Sequence, residues 1–523
     1  MKIRRALISV SDKTNLKEFV KGLDSLGIKI LSTGGTAKFI SDIGVEVEDV
    51  SSFTGFPEIM NGRVKTLHPK IHGALLGIRD NEKHVKEAKA HGIEFIDMVV
   101  VNLYPFSQTI ARKDATFEEA IENIDIGGPS MMRSAAKNFR DVAVVSDPSM
   151  YVPILKELKQ NGSSLSEATL LDLAVDVFQK TAAYDASISG YLKSRQSKDV
   201  AKSSFPSRLS ICFNKIKDLR YGENPHQKAA FYGDGQDSAS PSIISARQLH
   251  GKELSFNNII DLNAACEIVS EFEKPCACVI KHATPCGVAQ AGDARQAFID
   301  ALDCDRLSAF GGIVGLNRSV DGRLANEIRD AGFLECMIAP SYTEEALEVL
   351  TKKKNFRILE AEFGKPGREN AAAFDIKKIR GGVLLQEFDT QDADKKDLKV
   401  VTKKSPDAGE LESLYFAWKV VKHVKSNAIV ICNGSKTVGI GAGQMSRVDS
   451  VIIAIGKASS RARGAVLASD AFFPKPDSVE ALAKAGVSAV IQPGGSVADK
   501  EVIEVANALG ISMVFTGIRH FKH

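Results

Sequence analysis

The chain opens as an alternation of two hydrophobic patterns. Short, nearly unbroken apolar runs at Arg5–Val10, Ile28–Leu31 and Asp97–Val101 have the length and composition of buried strands. Between them, Leu16–Leu26 and Ala37–Ile43 place apolar residues at the spacing of an amphipathic helix. Strand, polar turn and helix in succession predict βαβ units, hence a parallel sheet with helices on its faces. Glu167–Leu192 carries a longer helical period, with Leu170, Leu173, Ala174, Val177 and Phe178 on one face. Further on, Cys276–Ile280 reads as a core strand that Thr284-Pro285 should end, because proline donates no ladder hydrogen bond. Ile429–Cys432 and Val438–Ile440 read as strands joined by a hairpin turn at Gly434-Ser435-Lys436-Thr437.

The Ser/Lys-rich stretch between Leu192 and Leu209 has little to bury and reads as a linker. It divides the chain into 1–195, a connection over 196–210, and 211–523. A length of 523 residues permits about three domain-sized units. The formal net charge of +3 offers no case for nucleic-acid or membrane-surface binding, so an anionic ligand must be met by local groups. No run approaches the ~18 apolar residues of a membrane span. Ala6–Val10 is too short for a signal peptide's apolar region, so the expected address is cytoplasmic. All eight cysteines lie from Cys212 onward, too dispersed for a disulfide framework.

Candidate chemistry gathers in the turns. Ser32-Thr33-Gly34-Gly35-Thr36 joins a strand to a helix, where glycines admit a ligand and the helix N-terminus favours an anion. Phosphate binding and plain turn formation explain it equally well. Arg63–Pro69 is a cationic loop, and Ile124–Ser130 a second glycine turn. After it, Ser130, Arg133 and Lys137 fall on one polar helix face, either a site or a solvated surface. Lys281-His282 at a strand end pairs a group that titrates near neutrality with a cation. That cation can hold the imidazole neutral and stabilise an oxyanion, though the pair alone could merely decorate the strand.

In order along the chain, Ser11-Asp12-Lys13-Thr14, Ser32–Thr36, Arg63–Thr66, Asn102–Tyr104 and Asp125–Lys137 resemble the IMP cyclohydrolase domain of the bifunctional purine biosynthesis family. From Leu219 to the end, RYGxNPHQ, KH-x-x-P-x-G, SAFGG, GIGAGQ-x-SR and SDAFFP resemble that family's AICAR transformylase domain. The resemblance implies an α/β chain. Its N-terminal domain would be a methylglyoxal-synthase-like parallel sheet. Its C-terminal part would have two cytidine-deaminase-like subdomains and work as a homodimer. It also implies two reactions. A formyl group passes from 10-formyltetrahydrofolate to aminoimidazole carboxamide ribonucleotide (AICAR), giving FAICAR, which then closes to IMP with loss of water.

Roles carried over by the resemblance are expectations. For ring closure, Lys65 and the N–H groups at Ile126 and Gly127 would steady the oxygen, while Lys137, Tyr104 and Asp125 move protons. The nucleotide would also meet Ser11, Lys13, Thr14, Ser32, Thr33, Gly34, Gly35, Thr36, Arg63, Thr66 and Asn102. For formyl transfer, His282 would be the base, and Lys281 would stabilise the oxyanion or aid protonation of the folate leaving nitrogen. Arg220, Tyr221, His226, Asn258 and Gly311 would hold the nucleotide with Glu335, Asn427, Arg447, Phe472 and Arg519. Asp477, Ser496 and Val497 would contact folate. Glu335 departs from the Asp found at this position in some relatives. No prosthetic group and no catalytic zinc are expected: Cys276, Cys278, His282 and Cys286 lack the H-x-E and P-C-x-x-C of zinc deaminases.

Overall fold

The computed structural model describes residues 1–112, 114–195, 205–233, 242–363 and 374–523. Positions 196–204 of the expected linker lie outside the described residues. The chain divides into two compact units, Met1–Cys212 and Phe213–His523.

In the first unit, β1 (Arg5–Val10), β2 (Lys29–Ser32), β3 (Glu48–Asp49), β4 (Met98–Asn102) and β5 (Ala143–Val145) form one parallel sheet in the order β3-β2-β1-β4-β5. Its centre reads as unbroken apolar runs because both faces are covered: Ala6, Leu7, Ile8, Val99 and Val100 are fully buried. The long helix Glu167–Ser194 buries Leu170, Leu173, Ala174 and Val177 as its periodicity predicts. Phe178 instead stays half-exposed beneath the Arg133 guanidinium, 5.4 Å from its ring centroid. Parallel order brings the C-terminal ends of β1, β2, β4 and β5 to one edge, where open α/β sheets bind ligands.

The second unit is built on a twelve-stranded sheet with a repeat inside it. The first half runs β8 (Arg247–His250), β9 (Cys276–Lys281), β10 (Thr284–Gln290), β11 (Gly312–Leu316), β12 (Leu334–Ala339) and β13 (Arg357–Glu360). The second runs β16 (Lys399–Val400), β17 (Ile429–Asn433), β18 (Lys436–Gly441), β19 (Val466–Ser469), β20 (Ala489–Gln492) and β21 (Ser512–Phe515). In each half an edge strand leads to a helix, then an antiparallel hairpin, then three parallel strands separated by helices. The sheet order is β16-β21-β20-β19-β17-β18-β10-β9-β11-β12-β13-β8, so antiparallel β18 and β10 join two halves related by an approximate twofold. The two subdomains implied by the resemblance thus share one continuous sheet.

Two further hairpins stand off this sheet: β6 (Asn214–Leu219) with β7 (Ala229–Gly233), and β14 (Phe374–Ile379) with β15 (Gly382–Glu387). Ile216, Tyr232, Ile376, Ile379, Val383 and Leu384 on them are exposed. Among the described residues no helix is long and apolar enough to cross a membrane.

Candidate active sites

At the C-terminal edge of the first sheet, Asn102 clamps the turn after β1. Its Oδ1 accepts the Ser11 N–H at 2.7 Å and the Asp12 N–H at 3.0 Å, and its Nδ2 donates to the Asp12 carbonyl at 2.9 Å. The Thr14 side chain and its N–H hold the Asp12 carboxyl below the ordinary range. Lys13 and Thr14 are exposed on this turn. The turn after β2 offers less side-chain chemistry than expected. The Ser32 hydroxyl is buried and donates to the Ile8 carbonyl at 2.6 Å; that of Thr36 donates to the Val10 carbonyl at 3.0 Å. Both hydroxyls therefore tie strands and helix together. What faces outward is the backbone of Thr33, Gly34 and Gly35 at the start of the helix Gly34–Asp42.

Lys65 reaches that helix start: its Nζ lies 3.5 Å from the point a Cβ on Gly34 would occupy, and it pairs with Glu58 at 3.0 Å. Thr66 Oγ1 lies 3.0 Å from the equivalent point on Gly127, so the cationic loop touches both glycine turns. Arg63 is exposed and paired with Glu122. Asp125 accepts the Gly128 N–H at 2.8 Å. Burial raises its carboxyl, against the pull of the Gly128 and Tyr104 backbone N–H groups. Tyr104 and Ile126 are exposed beside it, and no side chain caps the helix Gly127–Lys137 at Ile126. With the Gly128 N–H taken by Asp125, no N–H on Pro129 and the Ser130 N–H bonded to the Ile126 carbonyl, the Gly127 N–H is left to meet an oxygen of a ligand. Lys137 ends that helix, ~15 Å of axis away from Gly127. Within one chain the fold does not bring it to the cluster.

In the second unit the expected strand end is a hairpin. Thr284-Pro285 does not terminate the segment: Thr284 pairs with Lys281 and Pro285 with Ile280, and a register shift follows before Gly287. The ladder tolerates the proline because this irregularity sits beside it. His282 and Ala283 form the two-residue turn, with left-handed φ of +52° and +56°. His282 is exposed. The Lys281 ammonium donates to the Phe310 carbonyl at 2.9 Å and lies 3.0 Å from where a Cβ on Gly311, itself at φ +70°, would stand.

Strand directions carry the other motifs to this same edge. It collects the end of β9, the starts of β11, β12 and β17, and the ends of β18 to β21. Gly311, Glu335, Asn427, Arg447, Phe472, Asp477, Ser496, Val497 and Arg519 all lie just beyond these strand ends, apart from Glu335, the second residue of β12. Asn258 is buried in a capping box with Ser255 and donates to Glu335 at 3.0 Å. Asn257 ties this helix start to the Glu223 carbonyl in the loop that carries Arg220, Tyr221 and exposed His226. Arg220 stacks on Tyr221 at 5.5 Å.

Arg447, which the resemblance implies would hold the nucleotide, is turned inward. It is 6% exposed and paired with fully buried Asp470, while its Nη2 donates to Asn427 Oδ1 at 2.7 Å. It braces Asn427 and the β17–β19 junction. Cys276 and Cys278 are buried in the core, where burial raises both thiols, and Cys286 is raised to about 12. Among the described residues no group of three or more His, Cys, Asp or Glu side chains is placed to hold a metal. Two contributors had no sequence signal of their own. Asp261, mid-helix, accepts the Ala283 N–H, and Tyr184, on the long helix, holds the Asp125 turn.

A parallel sheet with anion-ready turns, followed by a duplicated sheet with a Lys-His hairpin at its edge, defines a two-site α/β enzyme class. A family described as MGS-like domain matches residues 15–130, and one described as AICARFT/IMPCHase bienzyme matches 135–457. The bifunctional purine biosynthesis protein PurH of Magnetococcus marinus is 54% identical, with all of both chains covered. That of Bacillus mycoides is 54% identical over 99% of this chain and all of its own. A solved structure titled "Crystal structure of ForH" is 36% identical, covers 37% of this chain and all of its own, and has a TM-score of 0.34. The chain belongs to the AICARFT/IMPCHase bienzyme family.

Proposed function

We propose that the chain catalyses two successive steps, formyl transfer from 10-formyltetrahydrofolate to AICAR and dehydrative closure of FAICAR to IMP. The observation that carries this reading is the separation of two polar clusters into two compact units, each at a sheet edge, in a chain of a family described as a bienzyme with both names. In the transferase unit the AICAR amine attacks the formyl carbon, and as the bond from that carbon to folate breaks the folate nitrogen takes up a proton and leaves as tetrahydrofolate. The amine is a weak nucleophile because its lone pair is delocalised into the ring. His282 takes its proton, and Lys281 stabilises the oxyanion on the formyl carbon, its ammonium held at the Phe310 carbonyl. Gly311 keeps that space open.

In the first unit the carboxamide nitrogen attacks the formyl carbon intramolecularly, and the resulting carbinolamine loses water. Orientation supplies much of the acceleration. Lys65 and the N–H groups of Ile126 and Gly127 receive the oxygen, and Asp125 with Tyr104 moves protons. The phosphate lies on the backbone of Thr33 to Gly35 and on Lys13, Thr14 and Arg63. In the second unit folate is the co-substrate, held by Asp477, Ser496 and Val497.

We further propose a homodimer. Site residues of the transferase unit run along eight strand spacings from β12 to β21, about 38 Å, farther than one ribotide reaches. A second copy would complete each site and cover the exposed hairpin arms. The test of the whole reading is a pair of variants assayed for both steps. His282→Ala should lose formyl transfer by ~10²–10⁴-fold and keep ring closure. Lys65→Ala should do the reverse. Loss of both activities in either folded variant would refute the two-site reading.

A further inference from the structure

The turn that carries His282 is one its residues do not favour. Both central positions are left-handed, at +52° and +56°, yet they hold His and Ala, whose Cβ atoms crowd the following carbonyl in that conformation. Two-residue turns of this hand select Asn and Gly for this reason. A turn so strained persists only where surrounding structure holds it. Here the hold comes from the helix Phe256–Ser270, packed over β9, β11 and β12. Asp261 on that helix accepts the Ala283 N–H at 2.6 Å, and the His282 N–H is turned to the same carboxyl.

We propose that Asp261 is the positioning residue of the transferase site: its carboxylate keeps the His282-Ala283 turn left-handed and so fixes the direction in which the imidazole leaves the backbone. The inference rests on the reading of His282 as the base. The backbone angle at His282 sets its Cα–Cβ direction, so a relaxed turn would point the ring elsewhere with every other contact intact. The charged and titratable groups facing Asp261 are Lys281 and His282 from the hairpin and Cys336 from β12. Burial raises the Asp261 carboxyl above its ordinary value, while the Ala283 and His282 N–H groups, the imidazole and the Lys281 ammonium pull against that rise.

The experiment uses the full chain and follows both reactions. Asp261→Ala should lower kcat for formyl transfer by about 100-fold, the scale of a misplaced catalytic group, with KM for AICAR within about threefold and ring closure unchanged. Asp261→Asn keeps an acceptor oxygen in place and should recover at least about tenfold of that loss. In the double variant Asp261→Ala/Ala283→Gly, a glycine that adopts positive φ without strain replaces the outside brace, and should likewise recover about tenfold. A kcat for Asp261→Ala within twofold of the parent would overturn the proposal. So would a loss that neither Asp261→Asn nor Ala283→Gly repairs, or a loss shared by ring closure, since each points to general damage. His282→Ala is run alongside. Full activity there removes the base reading itself, whereas an inactive His282→Ala beside an active Asp261→Ala removes only the positioning role.

Discussion

Tyr184 and Asp125 are joined through one hydroxyl: the Tyr184 oxygen accepts the Asp125 N–H at 2.8 Å and donates to the Asn123 carbonyl at 3.0 Å. A side chain 59 positions away thus fixes the turn that presents Asp125, Ile126 and Gly127. Tyr184→Phe leaves that backbone N–H and carbonyl without their partner. It should cost ~1–3 kcal/mol of stability in the first unit and lower ring closure about tenfold, with formyl transfer untouched. Thermal unfolding and the two assays measure both effects.

Gly311→Ala should disable formyl transfer alone. A Cβ there meets the Lys281 ammonium at 3.0 Å and sits at φ +70°, so the loop or the ammonium must shift. A loss of at least ~10-fold in kcat is expected, with ring closure at the parental rate. An Ala variant transferring formyl normally would show that Lys281 has room to spare.

Lys65→Ala should slow ring closure far more than Lys137→Ala. Lys65 lies over the Gly34 helix start, whereas Lys137 sits ~15 Å along its helix from Gly127. Equal losses, measured on supplied FAICAR, would mean that Lys137 is delivered to the site by another chain.

What was legible and what was not follows from the range of the forces involved. The runs at Arg5–Val10 and Asp97–Val101, the period of Glu167–Ser194 and the Gly434-Ser435 turn were readable because each is a local pattern. The Lys281-His282 pair was readable as chemistry, but its hairpin was not. His-Ala carries no turn signature, and the hold on it comes from Asp261, 22 positions away. The ion pair of Arg447 was hidden for a similar reason: its partner Asp470 lies 23 positions on, buried against it. The two like subdomains of the second unit were implied by the family resemblance alone, because the duplication repeats strand directions rather than a residue pattern.

Glu271 gives the second unit an acid-sensitive joint. Burial would raise its carboxyl, but the hydrogen-bonded His423 and the Lys422 ammonium at 2.6 Å outweigh this and bring it down to about 2. His423 is itself pushed toward neutrality by burial, so near pH 7 the holding charge is that of Lys422. Because the folded value lies below the ordinary one, the stabilisation is present above about pH 4.5 and is lost as pH falls toward 2. Its size is on the order of 2–3 kcal/mol. Glu271→Gln should flatten the acid limb of a denaturation-against-pH curve, and at pH 7 should destabilise by ~3–5 kcal/mol because Lys422 is left buried and unpaired.

Leu384→Glu on the β14–β15 arm should leave ring closure intact while shifting sedimentation to the monomer and lowering formyl transfer, since it places a charge on an apolar surface that a second copy would cover. A dimeric, fully active variant would place the contact elsewhere.

The approximate twofold within the second sheet means that every strand end on the rim that carries Lys281 has a counterpart on the opposite rim. On that far rim Asn433-Gly434-Ser435 stands where Lys281-His282-Ala283 stands on the near one. The protein therefore carries a second hairpin at the matching position, with Gly434 left-handed but Ser435 not, and without ammonium or imidazole in the turn, which a designer could re-equip without disturbing the rim that carries Lys281.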